Sequence, residues 1–560
     1  MGGGGQPVGP GMWKAALAET PREAFNWRLA LSVVCFGLMG AARGLDEGLI
    51  GTTVSQNSFV SEYGLTTKHL SKAELASRIG NITAMVQIGS VGGALIAFIS
   101  CDKIGRLWAT RQLCVVWIIG VIIYITSAGN YGQVLAGRFV MGLGIGQTTV
   151  VAPTYLAEVA PRSIRGLCIC IFSGNVYLGI MLGYFANWGT SIHISSSSSM
   201  QWIDPTTMHI IFAGIILIMS FFALESPRWL AKIGKDEQAE INLCKLRKLP
   251  ADHPYVRAEL IDVHDQIRRE EEATMGAGFF GPLKELFVLP RNRYAIILGL
   301  ACQLLGQWSG ANSLTIYAPQ FFALLGTTGQ SEALFATAIF GVVKLVSALI
   351  CAFFLVDFIG RKRSLSTGII IQLISSLYIA IYLTAVPTIA SGQVSSTSAK
   401  HAGTGAIAMI YFSGVGWALG WNSIQYLIGA EIFPLRVRSL GTSLVMCFHF
   451  VNQYGNSKAV PLMLLYGQGL SPKGTFWFFA AVTFLGLIFV WFFLPETAGK
   501  SLEGMDELFS LPWHVIGRKG AKLTAGKGSV AEAMSAGDPE KVANMIEEER
   551  VENVEKNTAA

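Results

Sequence analysis

A carboxylate and an arginine lie inside two long apolar stretches of this chain, where an ionised side chain is costly. Asp46 belongs to the stretch 30–51, and Arg138 belongs to the stretch 134–156. An ion pair between them would reduce that cost, and a movement that separates the pair would change the affinity of the carboxylate for a proton. The pattern predicts a proton-coupling pair or, alternatively, a static ion pair that fixes one helix against another. Arg43, one helical turn before Asp46, could compete with Arg138.

Two further ionisable side chains lie in apolar stretches nearer the C-terminus. Lys344 lies in the stretch 332–356, where a cation needs water, a polar partner or an anion. It either binds the carboxylate of an acidic substrate or is a structural partner for a buried polar group. His449 lies in the stretch 439–466 and could titrate near neutral pH. The alternative for His449 is a hydrogen-bonded pocket residue.

The elements that must hold these residues are strongly apolar. Hydrophobic residues make up 52% of the 560 residues and charged residues only 14%. Soluble domains need roughly a quarter of their residues charged, so a chain of soluble domains is excluded. The same composition excludes a disordered chain and a disulfide scaffold. The net charge of +6 is modest and is spread over short loops, so we expect no nucleic acid partner.

The sequence gives no support for an enzyme or a metal site. Its 9 cysteines form no Cys-x-x-Cys pair, so neither a zinc site nor a redox motif is supported. We find no nucleophile–base pair, no metal-binding cluster and no complete phosphate-binding loop. We therefore expect no catalytic residues, no metal and no cofactor, and we expect membrane lipid around much of the chain.

Twelve stretches are apolar and long enough to cross a bilayer, whose hydrocarbon core of about 30 Å needs roughly 20 helical residues. They predict an all-α integral membrane protein, and we number them spans 1 to 12. Their ranges are 30–51, 79–101, 112–129, 134–156, 167–188, 207–225, 294–318, 332–356, 365–386, 404–430, 439–466 and 474–494.

Two polar segments divide the chain. Residues 226–293 carry charges of both signs and predict a helical linker between two halves, 29–225 and 294–494. Residues 1–28 precede the first half, and residues 495–560 form a charged tail whose distal part is predicted to be disordered. Lysine and arginine are concentrated in the short loops on one side, which predicts that the linker and both termini lie in the cytoplasm.

Short charged motifs recur in the same order in the two halves. The first copies follow spans 2, 4 and 6, and the second copies follow the corresponding spans of the other half. A repeat of six plus six helices with a site between the halves is the architecture of alternating-access carriers. The repeated charges are predicted to gate the cytoplasmic side, and the alternative is that they are only surface anchors and orientation signals. They are Asp102, Arg106, Glu158, Arg165, Glu225, Arg228, Asp357, Arg361, Glu431 and Arg438.

Motifs along most of the chain match a known family in their order. They include Gly44-Leu-Asp46, Asp102-Lys-Ile-Gly-Arg106, Glu158-Val-Ala-Pro161, Gln307-Trp-Ser-Gly310-Ala-Asn312 and Asp357-Phe-Ile-Gly-Arg361. From about residue 27 to 509 the chain resembles the sugar porter family of the major facilitator superfamily, and within it the fungal monosaccharide and quinate-type permeases. This resemblance implies twelve transmembrane helices in two six-helix halves, the major facilitator fold, with a cytoplasmic helical linker.

The resemblance also implies a substrate site between the halves. In span 7, Gln307, Asn312 and Tyr317 match sugar-binding residues of the family. Ser173 and His449 stand where the family usually has glutamine, so the pocket differs from a standard glucose pocket. The same polar residues could instead bridge packed helices. The predicted substrate-binding set is Gln303, Gln307, Asn312, Tyr317, Ser173, Asn422, Gln425, Tyr426 and His449.

Together with these features, the resemblance implies a plasma-membrane transporter that imports a monosaccharide, a pentose or hexose such as arabinose, xylose or glucose. Proton symport through alternating access is the expected mechanism, as the resemblance implies for the pair Asp46 and Arg138. The alternative substrate is a polyhydroxy acid such as quinate or galacturonate. An alternative of another class is a non-transporting nutrient sensor, although such sensors usually have a much longer cytoplasmic tail.

Overall fold

The chain forms a bundle of long helices. The computed structural model describes residues 20–68, 70–161, 164–274, 281–327, 329–351, 361–386, 397–422, 432–433, 435–467, 469–495 and 516–519. Every regular element in these ranges is a helix. Within them, 9 helices are apolar and long enough to cross a membrane by composition alone. The helices of spans 5, 7 and 11 take the remaining places, which confirms the prediction of an all-α membrane protein with twelve spans.

The spanning helices follow the predicted order, six in each half. The helices of spans 1 to 6 are Trp27–Thr53, Lys72–Ile104, Arg106–Ile125, Tyr131–Val159, Arg165–His193 and Met200–Phe222. Those of spans 7 to 12 are Pro290–Trp308 with Ala311–Ile316, Gln330–Ile350, Arg361–Ala385, Thr397–Leu419, Leu435–Met463 and Ser471–Phe492. The shorter elements are Arg22–Ala24, Asn57–Glu62, Pro227–Lys232, Asp236–Arg247, Pro254–Thr274, Gly281–Val288, Ala318–Leu324 and Ile516–Lys519.

Several helices begin earlier than the apolar pattern indicates, among them those of spans 2 and 6. Span 2 begins at Lys72 and not near 79, because the side chain of Ser71 accepts a hydrogen bond from the backbone N–H of Glu74 and caps the helix. Span 6 begins at Met200 and not near 207, and its helix contains Pro205. The polar first turns of both helices lowered the hydropathy of the sequence there without preventing helix formation.

Span 7 is broken where the sequence predicts one continuous helix. The first helix ends at Trp308, and Gly310 then adopts a left-handed conformation with φ 89°. A side chain at this position would also meet the ring of Phe479, since an added Cβ would lie 2.5 Å from a ring carbon. The break places Gln307 before the turn and Asn312 after it.

The helices of spans 1 and 5 pack backbone against backbone. An added Cβ on Gly44 would lie 1.7 Å from the carbonyl oxygen of Val176, so only glycine fits there. Small residues allow this close approach between membrane helices. It fixes the neighbouring residues of span 1, Asp46 among them, within the first half.

The linker packs against the start of the chain. The Asn26 side chain donates a hydrogen bond to the carbonyl oxygen of Leu246 at 2.8 Å. Within the linker, His264 Nε2 lies 2.9 Å from Asp236 Oδ1, and this hydrogen bond raises the pKa of the imidazole. We call the end of the bundle that carries the linker the linker side, and the opposite end the far side.

Candidate substrate and proton site

The pair predicted between spans 1 and 4 is present. Arg138 Nη1 and Nη2 donate to the two carboxylate oxygens of Asp46 at 3.1 and 3.4 Å. Arg138 Nε also donates to the carbonyl oxygen of Ile82 at 2.6 Å, which ties span 4 to span 2. Asp46 is 2% exposed and Arg138 is 1% exposed. Removing either partner would leave a buried charge without compensation.

Arg43 pairs with a different carboxylate. Its Nε donates to Glu47 Oε1 at 3.1 Å, one helical turn further along span 1. Its Nη2 lies 2.8 Å from His449 Nε2 in span 11, and the guanidinium also reaches Gln453 Oε1 at 3.4 Å. Asp46 therefore keeps Arg138 as its partner, and Arg43 joins the first half of the protein to the second.

The contact with Arg43 determines the protonation of His449. A guanidinium has only donors, so His449 Nε2 must be the acceptor and carries no proton. The proton of a neutral imidazole is then on Nδ1, which lies 2.8 Å from Gln303 Oε1. Gln307 Nε2 lies 3.2 Å from the same Nδ1, but both nitrogens are then donors, so this contact is not a hydrogen bond. Histidine is thus the centre of a polar cluster that contains two of the predicted substrate-binding glutamines.

The side-chain amides of span 7 have unused hydrogen-bonding atoms. Gln303, Gln307 and Asn312 are 0%, 1% and 5% exposed. Within the described residues, Gln303 Nε2, Gln307 Oε1 and Asn312 Nδ2 are buried atoms without a hydrogen-bond partner. Buried polar atoms are rarely left unpaired, because desolvation costs about 1–3 kcal/mol for each. Two donors and one acceptor are therefore available to a hydroxyl-bearing ligand.

Span 11 supplies polar residues that are not in the predicted substrate-binding set. Gln453 Nε2 donates to Glu47 Oε1 at 2.9 Å and lies 3.4 Å from Asn312 Oδ1. Asn456 Nδ2 donates to the carbonyl oxygen of Gln307 at 2.5 Å, and Asn456 Oδ1 accepts from Ser313 Oγ at 2.5 Å. The one-turn spacing of 449, 453 and 456 on a single helix was the available signal.

The predicted residue Tyr317 lies in a contact between the halves. Its hydroxyl is hydrogen-bonded to Thr83 Oγ1 of span 2 at 2.6 Å and to the carbonyl oxygen of Ser457. Tyr317 is fully buried, so its hydroxyl is engaged by protein groups in this conformation. Whether it contacts substrate in another conformation stays a prediction.

The remaining predicted substrate residues are more peripheral in this conformation or lie outside the described residues. Ser173 is half-buried on the helix of span 5, and Asn422 is half-buried just after the helix of span 10. Gln425 and Tyr426 lie outside the described residues. None of these is brought into the hydrogen-bonded cluster around His449 by a contact that we can describe.

Lys344 reaches the interface between the halves from span 8. Its Nζ donates to Thr315 Oγ1 at 2.5 Å, and the side chain is 2% exposed. The ammonium lies 5.4 Å from the ring centroid of Tyr177 in span 5 and 5.4 Å from that of Phe340. Thr315 belongs to the same short helix as Asn312, so the cation and the unused amide of Asn312 belong to one region.

The charges predicted to gate the linker side form a network in the first half. Arg106 Nη2 and Nε donate to the carboxylate oxygens of Glu158 at 2.7 and 3.0 Å. Asp102 lies 3.4 Å from Arg106 and 3.0 Å from Lys232. Glu225 accepts the backbone N–H of Arg106 at 3.2 Å at the start of span 3, a favourable place for a negative charge. These contacts join the linker ends of spans 2, 3, 4 and 6.

The other predicted gating residues are only partly described. Arg228 is half-buried at the start of the linker, and its Nε is a buried atom without a hydrogen-bond partner among the described residues. Asp357 and Glu431 lie outside the described residues. For Arg165, Arg361 and Arg438 the backbone is described as helical, but the side chains are not described. The gating role of the whole set stays a prediction.

The two halves meet closely on the far side. An added Cβ on Gly51 would lie 1.4 Å from the carbonyl oxygen of Ile316, so spans 1 and 7 touch backbone to backbone. Gln330 Nε2 donates to the carbonyl oxygen of Ser55 at 2.9 Å, and the rings of Trp188 and Phe335 are 4.9 Å apart. These contacts close the far side of the interface between the halves.

Within the described residues, no group of three or more His, Cys, Asp or Glu side chains could hold a metal ion. The site instead combines a buried ion pair, a polar cluster around a neutral histidine and a buried lysine. Such an arrangement can exchange a proton at a carboxylate and can bind hydroxyl groups through amides. Aromatic rings beside it can cover the apolar faces of a small ring compound.

Comparison with known proteins identifies similar sequences over almost the whole chain. The profile of the family described as "Sugar (and other) transporter" matches residues 32–509. A probable quinate permease of Aspergillus niger is 32% identical over 496 residues, which cover 88% of this chain and 89% of that protein. A probable quinate permease of Aspergillus clavatus is 30% identical over 508 residues, covering 90% of this chain and 92% of that protein.

Solved structures share the fold. The proton:xylose symporter XylE of the major facilitator superfamily, bound to 6-bromo-6-deoxy-D-glucose, matches with a TM-score of 0.69 and 23% identity, covering 86% of this chain and 99% of that one. A partially occluded inward open conformation of XylE from Escherichia coli matches with a TM-score of 0.69 and 22% identity, covering 85% and 100% of the two chains. The likeness establishes the predicted major facilitator fold with two six-helix halves.

Proposed function

This chain belongs to the sugar transporter family, and we propose that it imports a small polyhydroxylated ring compound together with a proton by alternating access. It is a membrane transporter and not an enzyme. The observation that carries the proposal is the buried ion pair of Asp46 and Arg138. In the same half, Arg43 contacts the polar cluster around His449. A carrier that binds and releases a proton during its cycle needs an ionisable group in such a position.

Proton coupling would use the exchange of partners at Asp46. With Arg138 beside it the carboxylate is charged, whereas in a conformation that separates the two the buried carboxyl would take up a proton. The close contacts on the far side suit a state in which the substrate site communicates with the linker side. Opening the far side would move span 1 and so alter the surroundings of Asp46.

The amides of span 7 are suited to hydroxyl groups on a ring. Gln303, Gln307 and Asn312 offer buried donors and an acceptor that the protein leaves unused. A monosaccharide such as xylose, arabinose or glucose satisfies them, as does a cyclic polyhydroxy acid. The relatives named as quinate permeases and the buried ammonium of Lys344 favour the acid as the second candidate.

We place the transporter in the plasma membrane, where a permease that imports its substrate would act. The distribution of Lys and Arg in the loops favours an orientation with the linker and both termini in the cytoplasm. The network of Arg106, Glu158, Asp102 and Glu225 would then lie at the cytoplasmic ends of the helices. Its members would separate or rearrange as the halves rock, which is the gating role that the repeated motifs predict.

The proposal is tested by uptake into yeast that lacks its own transporters and expresses this chain. Xylose, arabinose, glucose, galacturonate and quinate are offered separately while the external pH is recorded. Accumulation of at least one of them above its external concentration, with alkalinisation of the medium, is the expected result. Equilibration without a pH change would contradict symport, and the absence of uptake by protein shown to be at the cell surface would favour the sensor.

A further inference from the structure

We infer that the transported compound carries a carboxylate and that the ammonium group of Lys344 binds it. The inference deepens the proposed function, on which it rests, by naming the chemical class of the substrate and the residue that recognises its charge. It depends on the surroundings of Lys344, on the charge balance at the centre of the bundle and on the position of the unused amides.

Lys344 is a buried cation with unused hydrogen-bonding capacity. Its ammonium has three N–H donors, and the acceptor in contact with it is the neutral hydroxyl of Thr315 at 2.5 Å. No carboxylate forms an ion pair with it in the part of the chain that the structure describes; Glu47 acts on it only at longer range. The rings of Tyr177 and Phe340, each 5.4 Å away, stabilise the cation but do not neutralise it.

The other charges near the centre of the bundle balance one another. Asp46 is paired with Arg138 at 3.1 Å, and Glu47 is paired with Arg43 at 3.1 Å. His449 is neutral because its Nε2 accepts from Arg43. Of these described groups, only Lys344 contributes an uncompensated charge, and it is positive. A buried charge of this kind is costly unless a partner of opposite sign arrives.

Lys344 lies where it could bind the carboxylate of a ligand whose hydroxyl groups contact the amides of span 7. Thr315, which holds the ammonium, lies on the short helix Ala311–Ile316 together with Asn312. Asn312 Nδ2 and, before the break in span 7, Gln307 Oε1 are unused. A ring with hydroxyl groups at one end and a carboxylate at the other would satisfy both kinds of group.

A neutral sugar would leave the cation unsatisfied. It would gain the amide contacts but would have to be bound beside a buried ammonium without a counter-charge. A site with a buried group that pairs with one polar group of the substrate discriminates strongly against an analogue without that polar group, because the buried group is then left unpaired. We therefore expect the free acid to be preferred over its neutral derivative.

The experiment uses the full-length purified protein in liposomes with an inward proton gradient. Uptake of radiolabelled quinate is measured in competition with unlabelled quinate, with the neutral methyl ester of quinate and with xylose. For the wild type we expect quinate to compete at least about tenfold better than the ester. Equal competition by acid and ester, or transport of xylose with no binding of quinate, would overturn the inference.

Variants then test the residue. Lys344→Met should weaken quinate binding by roughly 100-fold, since it removes one partner of a buried charged contact, and Lys344→Arg should retain part of the affinity. Lys458→Met is the matched control, because Lys458 lies on a spanning helix of the same half beside the ring of Tyr454. An affinity for quinate in Lys344→Met within threefold of wild type would overturn the assignment. The wild-type comparison of acid and ester decides the substrate class even if the variant fails to fold.

Membrane current separates failure of this inference from failure of the proposed function. An anion that moves with a single proton carries no net charge, whereas a neutral sugar that moves with a proton produces an inward current. Proton-driven xylose uptake with a current, unchanged in Lys344→Met, would overturn the role of Lys344 and leave the proposed symport intact. An uptake rate that is independent of the proton gradient for every compound would contradict the proposed function itself.

Discussion

Replacing Asp46 by asparagine should uncouple transport from the proton. Asparagine has nearly the shape of the protonated carboxyl but cannot release a proton. Of the two contacts to Arg138, at 3.1 and 3.4 Å, only the one to the remaining oxygen can persist, because the amide nitrogen would face a donor. Substrate binding and exchange should survive, since Asp46 makes no described contact with the amides of span 7.

The expected size of the effect follows from the proton gradient. A difference of one pH unit is worth about 1.4 kcal/mol, so symport with one proton can accumulate a neutral substrate roughly tenfold. Asp46→Asn should accumulate substrate only to its external concentration. Loss of one partner of a buried ion pair can also cost about 3–5 kcal/mol, so the folded fraction in detergent must be measured for each variant.

The assay compares accumulation, and counterflow exchange without a gradient, in liposomes containing equal amounts of folded protein. Asp204→Asn is the matched control, because Asp204 is exposed near the start of span 6. It should behave as the wild type in both assays. Gradient-driven accumulation by Asp46→Asn at the wild-type level would refute the reasoning and would direct attention to Glu47 as the proton carrier.

Three further predictions follow from the described contacts. Asn312→Ala should raise the KM for uptake about tenfold at unchanged surface expression, since it removes a buried amide whose Nδ2 awaits a ligand; an unchanged KM would contradict its assignment. Glu47→Gln removes the carboxylate that pairs with Arg43 at 3.1 Å and so weakens a link between the halves. The kcat of uptake should therefore fall by more than KM rises, and an unaltered kcat would exclude this effect. The hydrogen bond to Asp236 raises the pKa of His264 above 6.5, so this contact stabilises the linker below that pH and is lost as pH rises through the raised value. Hydrogen exchange in the linker, corrected for intrinsic rates, should therefore increase with pH in the wild type and not in His264→Ala, and identical profiles would rule out the contact.

The sequence was sufficient for the spans and for the pairing of Asp46 with Arg138, because a buried carboxylate needs a cation. It was less successful with Arg43. Residues three and four positions later are both within reach on a helix, so spacing alone does not choose between Asp46 and Glu47. Arg138 occupies Asp46 in the structure, and His449 draws the arginine towards span 11. The contact of Arg43 with His449 depends on how the two halves pack, and a local sequence pattern does not predict that packing.

The break in span 7 and the early start of span 2 were missed for different reasons. Hydropathy averaged over a span is insensitive to one residue, so it does not indicate the turn at Gly310. Glycine is nevertheless the residue that a left-handed turn favours. The capping serine, Ser71, and Glu74 three residues later were a readable signal for a helix start. Because both residues are polar, the hydropathy pattern places them in the loop before span 2.

The contact of Gly51 with the carbonyl oxygen of Ile316 gives the transporter a position where side-chain volume controls the balance between its conformations. In the proposed cycle, opening the far side would separate these two backbones, so a methyl group at position 51 would strain the closed state and not the open one. Each 1.4 kcal/mol of such strain changes the ratio of the two populations tenfold. A bulkier residue would hold the carrier open towards the far side, where it could still capture its substrate but could not carry it across. In the proposed cycle, glycine at position 51 is therefore a requirement of the closed state.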